Sequence, residues 1–267
     1  MSSLLDLSGT EKPRQIQENL MAYMCLFAGL PGVTLYDKES FWFVSNKPAP
    51  GNYILRTSFD GDFTEERIDA MLAQIGQYSD HIDWLVWPFD QPADLGKRLE
   101  TRGMPGGSGG NWLWTGLASL GRDLSLPDHF HIEQVRDNQM LSEWVRASEA
   151  GFGSELAIFY DAYARHGYGS DALSLHYIGY LYDTPVTSGT LLDAGGTASI
   201  YDVSTLPAFR HQGFGGAITH ALMQQIRNRG YTDTWIWSSN MAKSVYRKLG
   251  YVDADFGLRE HSWHRRS

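Results

Sequence analysis

The 267-residue chain contains one cysteine, Cys25, so neither a disulfide framework nor a cysteine-based metal site can form within one copy. So little cysteine is typical of a reducing compartment, and we expect the protein in the cytoplasm. Cys25 lies in the apolar run 20–28, which is too short to span a bilayer and predicts a buried helix, so we expect its thiol in the core. The polar stretch before this run does not resemble a signal peptide.

Basic clusters are also missing. The formal net charge is −9, from 22 lysines and arginines against 31 aspartates and glutamates. No segment forms the basic patch that nucleic-acid-binding proteins carry, and the nine histidines show no pair at metal-ligand spacing. We therefore expect no nucleic acid, membrane or metal among the partners. An acidic protein instead suits a cationic amine.

The most informative stretch that is present runs from Arg210 to Ala217 and reads Arg-His-Gln-Gly-Phe-Gly-Gly-Ala. It follows the strand-like run 198–206 and opens a segment of helical periodicity. A glycine-rich turn at a helix N-terminus directs backbone N–H groups and partial positive charge at one point, which favours a phosphate or pyrophosphate. The residues of this predicted loop are Arg210, His211, Gln212, Gly213, Phe214, Gly215 and Gly216.

Three kinds of ligand-binding glycine loop can be compared with this stretch. A P-loop needs Lys followed by Ser or Thr after the last glycine, where Ala217 and Ile218 stand. A dinucleotide fingerprint needs a small residue in place of Ile218, and Pro207 interrupts the strand that should run into its turn. Arg-x-x-Gly-x-Gly after a strand resembles the acyl-CoA pyrophosphate loop of the GNAT family of N-acetyltransferases. The remaining alternative is a glycine-rich turn without a ligand.

A second motif downstream strengthens this resemblance. Residues 234–237 predict a short aromatic strand, and residues 241–249 predict a helix closed by Gly250. Residues 240–251 resemble the second GNAT signature. In that family a tyrosine of this signature stands near the CoA sulfur, and Tyr246 holds the corresponding position here. The family's frequent asparagine usually stands seven residues before this tyrosine, where the chain has Ser239. Asn240 follows one residue later and is the candidate for that cofactor contact.

The resemblance implies an α+β fold: the GNAT acyl-CoA acyltransferase fold, a mixed central sheet in which two neighbouring parallel strands splay apart between flanking helices. It covers residues 125–267, the predicted catalytic domain. Residues 1–124 carry a fainter copy of the same order of strands and helices, with the acidic stretch 60–63 where the glycine loop would stand. We therefore expect a tandem protein with a boundary at Leu124 and a degenerate first half. An unrelated α+β domain is the alternative.

The same resemblance implies a division of roles. The main chains of Val203, Ser204 and Thr205 would bind pantetheine, with a backbone N–H near Val203 stabilising the oxyanion. Tyr246 would protonate the leaving thiolate. The candidates for the base are Asp202, Glu155, Glu149 or a water relay. Simple strand alternation predicts that the side chain of Asp202 faces away from those of Tyr201 and Val203.

The predicted function is therefore acetyl-CoA-dependent N-acetylation of a primary amine, on a small molecule or a protein, by direct attack on the thioester. A non-catalytic acyl-CoA-binding sensor with the same fold is the alternative. We expect a monomer or a homodimer.

Overall fold

The structure is a computed structural model that describes residues 4–59, 64–108, 110–121 and 127–265. The chain divides into two compact units. The N-terminal unit comprises Leu5–Gly110 with Asp255–Ser267, and the C-terminal unit comprises Asn111–Ala254 with Met1–Leu4. The boundary predicted at Leu124 lies outside the described residues, and the units change over at Gly110 instead. The reason is strand pairing, because the strand that begins at Asn111 pairs inside the C-terminal unit.

The elements follow one another along the chain in a mixed order of strands and helices. The first group is β1 (Leu5–Asp6), α1 (Lys12–Cys25), β2 (Val33–Asp37), β3 (Ser40–Ser45), β4 (Tyr53–Thr57), α2 (Thr64–Ile75), β5 (His81–Val86) and α3 (Leu95–Thr101). The second group is β6 (Asn111–Gly116), β7 (Phe130–Gln134), α4 (Asn138–Phe152), α5 (Ala157–Ala164), β8 (Ser174–Leu181), β9 (Thr184–Ala194), β10 (Thr197–Thr205), a 3-10 turn (Pro207–Phe209), α6 (Phe214–Asn228), β11 (Asp233–Ser238), α7 (Lys243–Lys248) and β12 (Val252–Asp255). The last strand, β13 (Arg259–His264), belongs to the N-terminal unit.

The ends of α4 illustrate how local sequence sets the elements. Asp137 caps the helix, its carboxylate accepting a hydrogen bond from the N–H of Met140 at 2.8 Å. Gly153 ends the helix with φ of 70°, a left-handed conformation that glycine adopts without steric cost.

The sheet of the N-terminal unit has the strand order β13-β5-β4-β3-β2. Strands β2, β3 and β4 are antiparallel neighbours, and β4 and β5 are parallel. The parallel pair is in register only at Tyr53 opposite Asp83 and at Ile54 opposite Trp84. Helix α2 buries Ile68 among the apolar side chains of this sheet.

In the C-terminal unit the strand order is β12-β6-β11-β10-β9-β8-β7. Strands β8, β9 and β10 are antiparallel neighbours, and β10 and β11 are parallel, in register only at Ser199 opposite Trp235. Helix α6 lies on one face, and its Ile218 and Leu222 share a core with Ile200 of β10. Burial of each such side chain contributes about 1.5–3 kcal/mol. Helix α4 packs on β8, β9 and β10.

Both units therefore repeat one arrangement: two antiparallel strand pairs, a helix, and a parallel strand that diverges from its neighbour. The predicted fold class, a mixed sheet with splayed parallel strands flanked by helices, is confirmed.

Cys25 is not buried, in contrast to the prediction. The residue is exposed, because α1 turns Ile16, Leu20 and Met24 inward and Cys25 falls outside that buried face. Across the described ranges, no helix has both the length and the apolar character needed to cross a membrane.

Candidate functional site

A β-bulge interrupts β10 beside the parallel gap. The pairing of β10 with β9 places Tyr201 opposite Thr190 and resumes with Ser204 opposite Ser188, so two residues of β10 lie opposite one of β9. The first of these two is Asp202, whose φ of 53° lies in the left-handed region that non-glycine residues rarely adopt. Such strained conformations cluster at functional sites.

The bulge changes where Asp202 points. Its Oδ2 accepts a hydrogen bond of 2.6 Å from the hydroxyl of Tyr163 on α5. Tyr201 and Asp202 therefore both face the α4 and α5 side of the sheet, whereas Val203 packs against the core under α6. The expectation from simple alternation is therefore wrong for Tyr201, which faces the same side as Asp202, but correct for Val203, which faces the other side. The extra residue of the bulge interrupts the alternation between Tyr201 and Asp202.

The backbone after the bulge borders the gap between β10 and β11. The N–H of Leu206 donates to the carbonyl of Val186 at 3.0 Å. Because bonded and non-bonded pairs alternate in an antiparallel ladder, Ser204 bonds toward β9 and the N–H of Thr205 points toward the gap. A backbone donor that lacks a strand partner there is available to a ligand.

Ser204 is fixed from behind by a chain of buried hydroxyls. Its Oγ lies 2.7 Å from the Oγ of Ser188, which lies 2.8 Å from the Oγ of Ser148 on α4. The last turn of α4 approaches so closely that a Cβ on Gly151 would lie 2.5 Å from the Ser204 Oγ. Only glycine fits there, and the end of α4 covers the end of β10.

The glycine loop joins β10 to α6. His211 has φ of 63° and Gly213 has φ of 91°, and Gly213 is the N-cap of α6. Among the described residues no side chain hydrogen-bonds to this N-terminus as a cap. The amides of Phe214, Gly215 and Gly216 in the first turn are donors without helical acceptors, at the positive end of the helix.

The side chains of this loop are engaged within the protein. The Arg210 guanidinium donates through Nε to the carbonyl of Thr205 at 3.2 Å and through Nη2 to the carbonyl of Gly151 at 2.7 Å. Gln212 donates to the carbonyl of Ala208 at 3.2 Å, and His211 is exposed. The hydrogen-bond donors that the loop leaves available are thus backbone amides at the start of α6. Arg210 links the loop to α4.

Tyr246 lies on α7 and is buried in the core under α6, which it shares with Ile218 and Val203. Its ring meets that of Tyr251 edge-on at 5.8 Å. Burial raises the pKa of the Tyr246 hydroxyl well above its ordinary value. The group therefore remains a proton donor at neutral pH.

Asn240 lies just before α7 and is hydrogen-bonded to β6. Its Oδ1 accepts a hydrogen bond from Nδ2 of Asn111 on β6 at 2.7 Å, and the Oδ1 of Asn111 accepts from Lys243 at 3.1 Å. Ser239, at the position where the family usually has asparagine, accepts from the N–H of Ala242 at 3.3 Å. Both side chains support the loop that follows β11.

The three carboxylates considered as bases have different surroundings. Glu149 accepts a hydrogen bond from the N–H of Leu156 at 2.8 Å and so holds the start of α5. Glu155 is exposed. Of the three, Asp202 is the one at the bulge that borders the parallel gap.

Sequence reasoning missed Tyr163, the partner of Asp202. The contact joins residues 39 positions apart, and nothing in the local pattern marks it. The Tyr163 ring stacks on His176 with centroids 3.9 Å apart, and Trp144 meets both rings edge-on. Burial lowers the pKa of His176 to about 3, so this imidazole is neutral, and its Nδ1 lies 2.9 Å from the Oγ1 of Thr190.

The corresponding gap of the N-terminal unit is filled by its own chain. After β5 the backbone returns to β4, where Ser58 and Gln91 form a parallel bridge. The N–H of Gln91 donates to the carbonyl of Thr57 at 3.0 Å, and the N–H of Phe59 donates to the carbonyl of Gln91 at 3.1 Å. The acidic stretch 60–63 lies outside the described residues.

Asp90 stands in this filled gap and is buried. Its Oδ2 accepts from the N–H of Trp87 at 3.0 Å, and its Oδ1 accepts from the N–H of Thr57 at 3.4 Å and from Gln17 at 3.3 Å. Burial raises the pKa of Asp90 to about 7 despite these bonds. The Asp90 carboxyl group thus accepts hydrogen bonds from backbone N–H groups at the ends of the parallel strands β4 and β5.

Among the described residues, no three His, Cys, Asp or Glu side chains form a group that could hold a metal ion.

Comparison with known proteins places the C-terminal motifs in a family context. Residues 188–262 match the family model described as FR47-like protein. An uncharacterized N-acetyltransferase, ycf52, of Pyropia yezoensis is 31% identical over 74 residues, which is 28% of this chain and 42% of that protein. The match therefore spans less than half the length of this curated relative.

Two solved structures resemble nearly the whole chain. A GCN5-related N-acetyltransferase from Kribbella flavida superimposes with a TM-score of 0.65 at 15% identity, covering 94% of this chain and 96% of that one. Another from Sphaerobacter thermophilus gives a TM-score of 0.59 at 14% identity, covering 86% and 78%. The predicted resemblance to the GNAT family of N-acetyltransferases and the predicted fold are confirmed.

Proposed function

Because the chain has the GNAT fold and carries the family match over residues 188–262, we propose that it is an acetyl-CoA-dependent N-acetyltransferase acting on a primary amine. The observation that carries this proposal is the gap between β10 and β11, in register only at Ser199 and Trp235, with the glycine loop of α6 following β10 and Tyr246 in the adjoining core.

In this proposal the donor lies along the gap. Its pyrophosphate rests on the amides from His211 to Gly216, where the α6 N-terminus supplies donors and partial positive charge. Its pantetheine arm follows the backbone of Val203, Ser204 and Thr205. Support comes from the Thr205 N–H, which the ladder directs toward the gap, and from the hydroxyl chain that holds Ser204 in place.

The chemistry takes place at the thioester end of the arm. Asp202 takes a proton from the ammonium, and the resulting amine attacks the thioester carbonyl carbon. The tetrahedral intermediate then collapses, the C–S bond breaks, and Tyr246 supplies the proton that the thiolate takes up. The nitrogen gives up its second proton to solvent as the amide forms, and Tyr246 regains its proton from solvent. Holding both reactants in one site removes much of the entropic barrier. Glu155, which is exposed, and a water relay are the other routes for the first proton.

The N-terminal unit plays a different part in this proposal. Its gap holds Asp90, whose carboxyl group takes the backbone donors of Thr57 and Trp87. A thioester at this position would have to displace the Asp90 carboxyl group, and we propose that this unit is a degenerate copy without a cofactor. We place the protein in the cytoplasm, as a monomer or homodimer.

The test is turnover of acetyl-CoA with a panel of primary amines: a polyamine, an amino sugar, an arylalkylamine and an amino-acid ester. CoA release is measured by chromatography, because the exposed Cys25 would react with a thiol reagent. We expect turnover with at least one amine. Tyr246→Phe should lower kcat by roughly 100- to 10,000-fold, since general acid catalysis contributes about this much, and should leave acetyl-CoA affinity nearly unchanged.

The control is Tyr231→Phe, a tyrosine of the same unit that belongs to neither motif and whose hydroxyl donates to Asp193 at 2.6 Å. It should retain the wild-type kcat. Acetyl-CoA binding without turnover on any amine would favour the alternative, a non-catalytic sensor. Equal kcat in wild type and Tyr246→Phe would remove Tyr246 from the mechanism.

A further inference from the structure

We infer that Tyr163 is a positioning residue that holds the Asp202 carboxylate at the bulge in the orientation and charge state needed to accept the proton of the amine. The inference deepens the proposed function and rests on it for the role of Asp202. Its structural content, a hydroxyl that sets the orientation and pKa of one carboxylate, is testable without turnover.

The first observation is the rigidity of Tyr163. Its side chain is completely buried, and its ring is enclosed on three sides. It stacks on His176 at 3.9 Å, and it meets Trp144 at 5.4 Å and Phe159 at 5.6 Å edge-on. A ring packed against three others has one orientation, so the position of its hydroxyl is set by the core of the unit.

The second observation is the strain at Asp202. A non-glycine residue with φ of 53° is held in a costly conformation and persists only where surrounding contacts determine it. The 2.6 Å hydrogen bond from Tyr163 is such a contact. Hydrogen bonds to a charged acceptor are short and about twice as strong as neutral ones. The Tyr163 hydroxyl on α5 is therefore a contact that helps to fix both the bulge and the carboxylate.

The third observation concerns charge. Three titratable groups of the described residues lie at this contact: Tyr163 from α5, Tyr201 from the same strand as Asp202, and His176 of β8 behind Tyr163. Burial keeps His176 neutral, and its Nδ1 lies 2.9 Å from the Oγ1 of Thr190 on β9. Burial and the negative charge of Asp202 together raise the pKa of Tyr201 well above its ordinary value. Tyr163 is thus a neutral hydrogen-bond donor to the Asp202 carboxylate.

This environment suits a base for a cationic amine. A neutral hydroxyl orients the carboxylate without cancelling its charge, so the carboxylate still attracts an ammonium group. An arginine or lysine in the place of Tyr163 would neutralise the site and repel that substrate. Removal of the hydroxyl should release the carboxylate and raise its pKa, because a hydrogen bond to the charged form favours that form.

The experiment compares wild type with Tyr163→Phe, which retains the ring and its packing. The Asp202 carboxyl is titrated by carbon NMR on protein labelled at the aspartate carboxyl carbon, with Asp202→Asn to assign the signal. We expect its pKa to rise by about one pH unit in the variant, the shift that corresponds to losing a charged hydrogen bond of about 1.4 kcal/mol. Tyr160→Phe, on the same helix but only half-buried, should leave it unchanged.

The kinetic arm uses the amine found in the turnover screen. Tyr163→Phe should lower kcat by up to about 100-fold, the loss that a misplaced catalytic group can cause, and leave the KM for acetyl-CoA within about twofold. The acidic limb of the pH profile of kcat should shift to higher pH by the same amount as the measured pKa of Asp202. In the Asp202→Asn background the same substitution should have almost no further effect, since coupled residues are not additive.

The outcomes separate the inference from the proposed function. An unchanged Asp202 titration in folded Tyr163→Phe would overturn the inference, whether or not the protein turns over an amine. A shifted titration in a protein without turnover would contradict the proposed function and leave the Tyr163–Asp202 pairing established. If Tyr163→Phe does not fold, Asp202→Asn takes its place. An Asp202→Asn variant with wild-type kcat would overturn the role of the pair in catalysis.

Discussion

The N-terminal unit should lose stability as the pH rises, because of Asp90. This carboxyl group is buried in the gap between β4 and β5, and its pKa is raised to about 7 from 3.8. A raised pKa means that the folded state binds the proton more tightly than the unfolded state. The stabilisation is therefore complete below about pH 4 and is lost as the pH rises through 7.

The magnitude follows from linkage. The two pKa values differ by about 3 pH units, and each unit corresponds to about 1.4 kcal/mol, so the loss is on the order of 4 kcal/mol between pH 4 and pH 8. Asp90→Asn removes the titration. It also turns an amide N–H toward the N–H of Trp87, a constant cost of about 1–3 kcal/mol at every pH. The other titrating groups are common to both proteins and cancel in the comparison.

The assay is urea unfolding at half-unit pH steps, followed by circular dichroism and tryptophan fluorescence. Hydrogen exchange of the β4 amides assigns the transition to the N-terminal unit. We expect wild type to be the more stable protein at pH 4 and to lose its advantage by pH 8. A free-energy difference between the two proteins that stays constant from pH 4 to pH 8 would refute the reasoning about the buried carboxyl.

Two further predictions concern the C-terminal unit. Gly151→Ala should lower the free energy of unfolding by about 1–3 kcal/mol, because the new methyl would lie 2.5 Å from the Ser204 Oγ. Gly216→Ala, whose Cβ would lie 3.7 Å from Val245, should be neutral or stabilising. Thermal unfolding of both variants and wild type measures the two effects. The pH profile of kcat should show no basic limb from Tyr246 below about pH 10, since burial raises the pKa of that hydroxyl. A basic limb near pH 8 that disappears in Tyr246→Phe would contradict this.

Sequence alone predicted the parts of the fold that local patterns encode. The predicted strand at 234–237 and the predicted helix at 241–249 correspond to β11 (Asp233–Ser238) and α7 (Lys243–Lys248). The glycine loop also stands at the N-terminus of α6, as its composition indicates. These features depend on neighbours within a few residues.

The features that the sequence did not predict depend on distant residues. Strand β6 joins the C-terminal unit through pairing with β11 more than a hundred residues later, so composition near residue 124 misplaced the boundary. The direction of Asp202 depends on a bulge that pairing with β9 creates. The bond from Tyr163 needs a helix and a strand brought together by the fold. No local period marks any of the three.

The central claim, an acyl-CoA site at the α6 loop, is tested most directly by titration calorimetry of acetyl-CoA into wild type, Gly216→Glu and Gly216→Gln. A Cβ at residue 216 would lie 3.7 Å from Val245, an ordinary van der Waals contact, and a carboxylate in the first turn of α6 favours the helix, so we expect both variants to fold. One negative charge near a bound pyrophosphate costs roughly 1–2 kcal/mol.

We therefore expect binding to wild type, nearly equal binding to Gly216→Gln, and a Kd at least about tenfold higher for Gly216→Glu. The difference should shrink at high salt. No binding to wild type, or equal binding to the Glu and Gln variants, would contradict an acyl-CoA site at this loop.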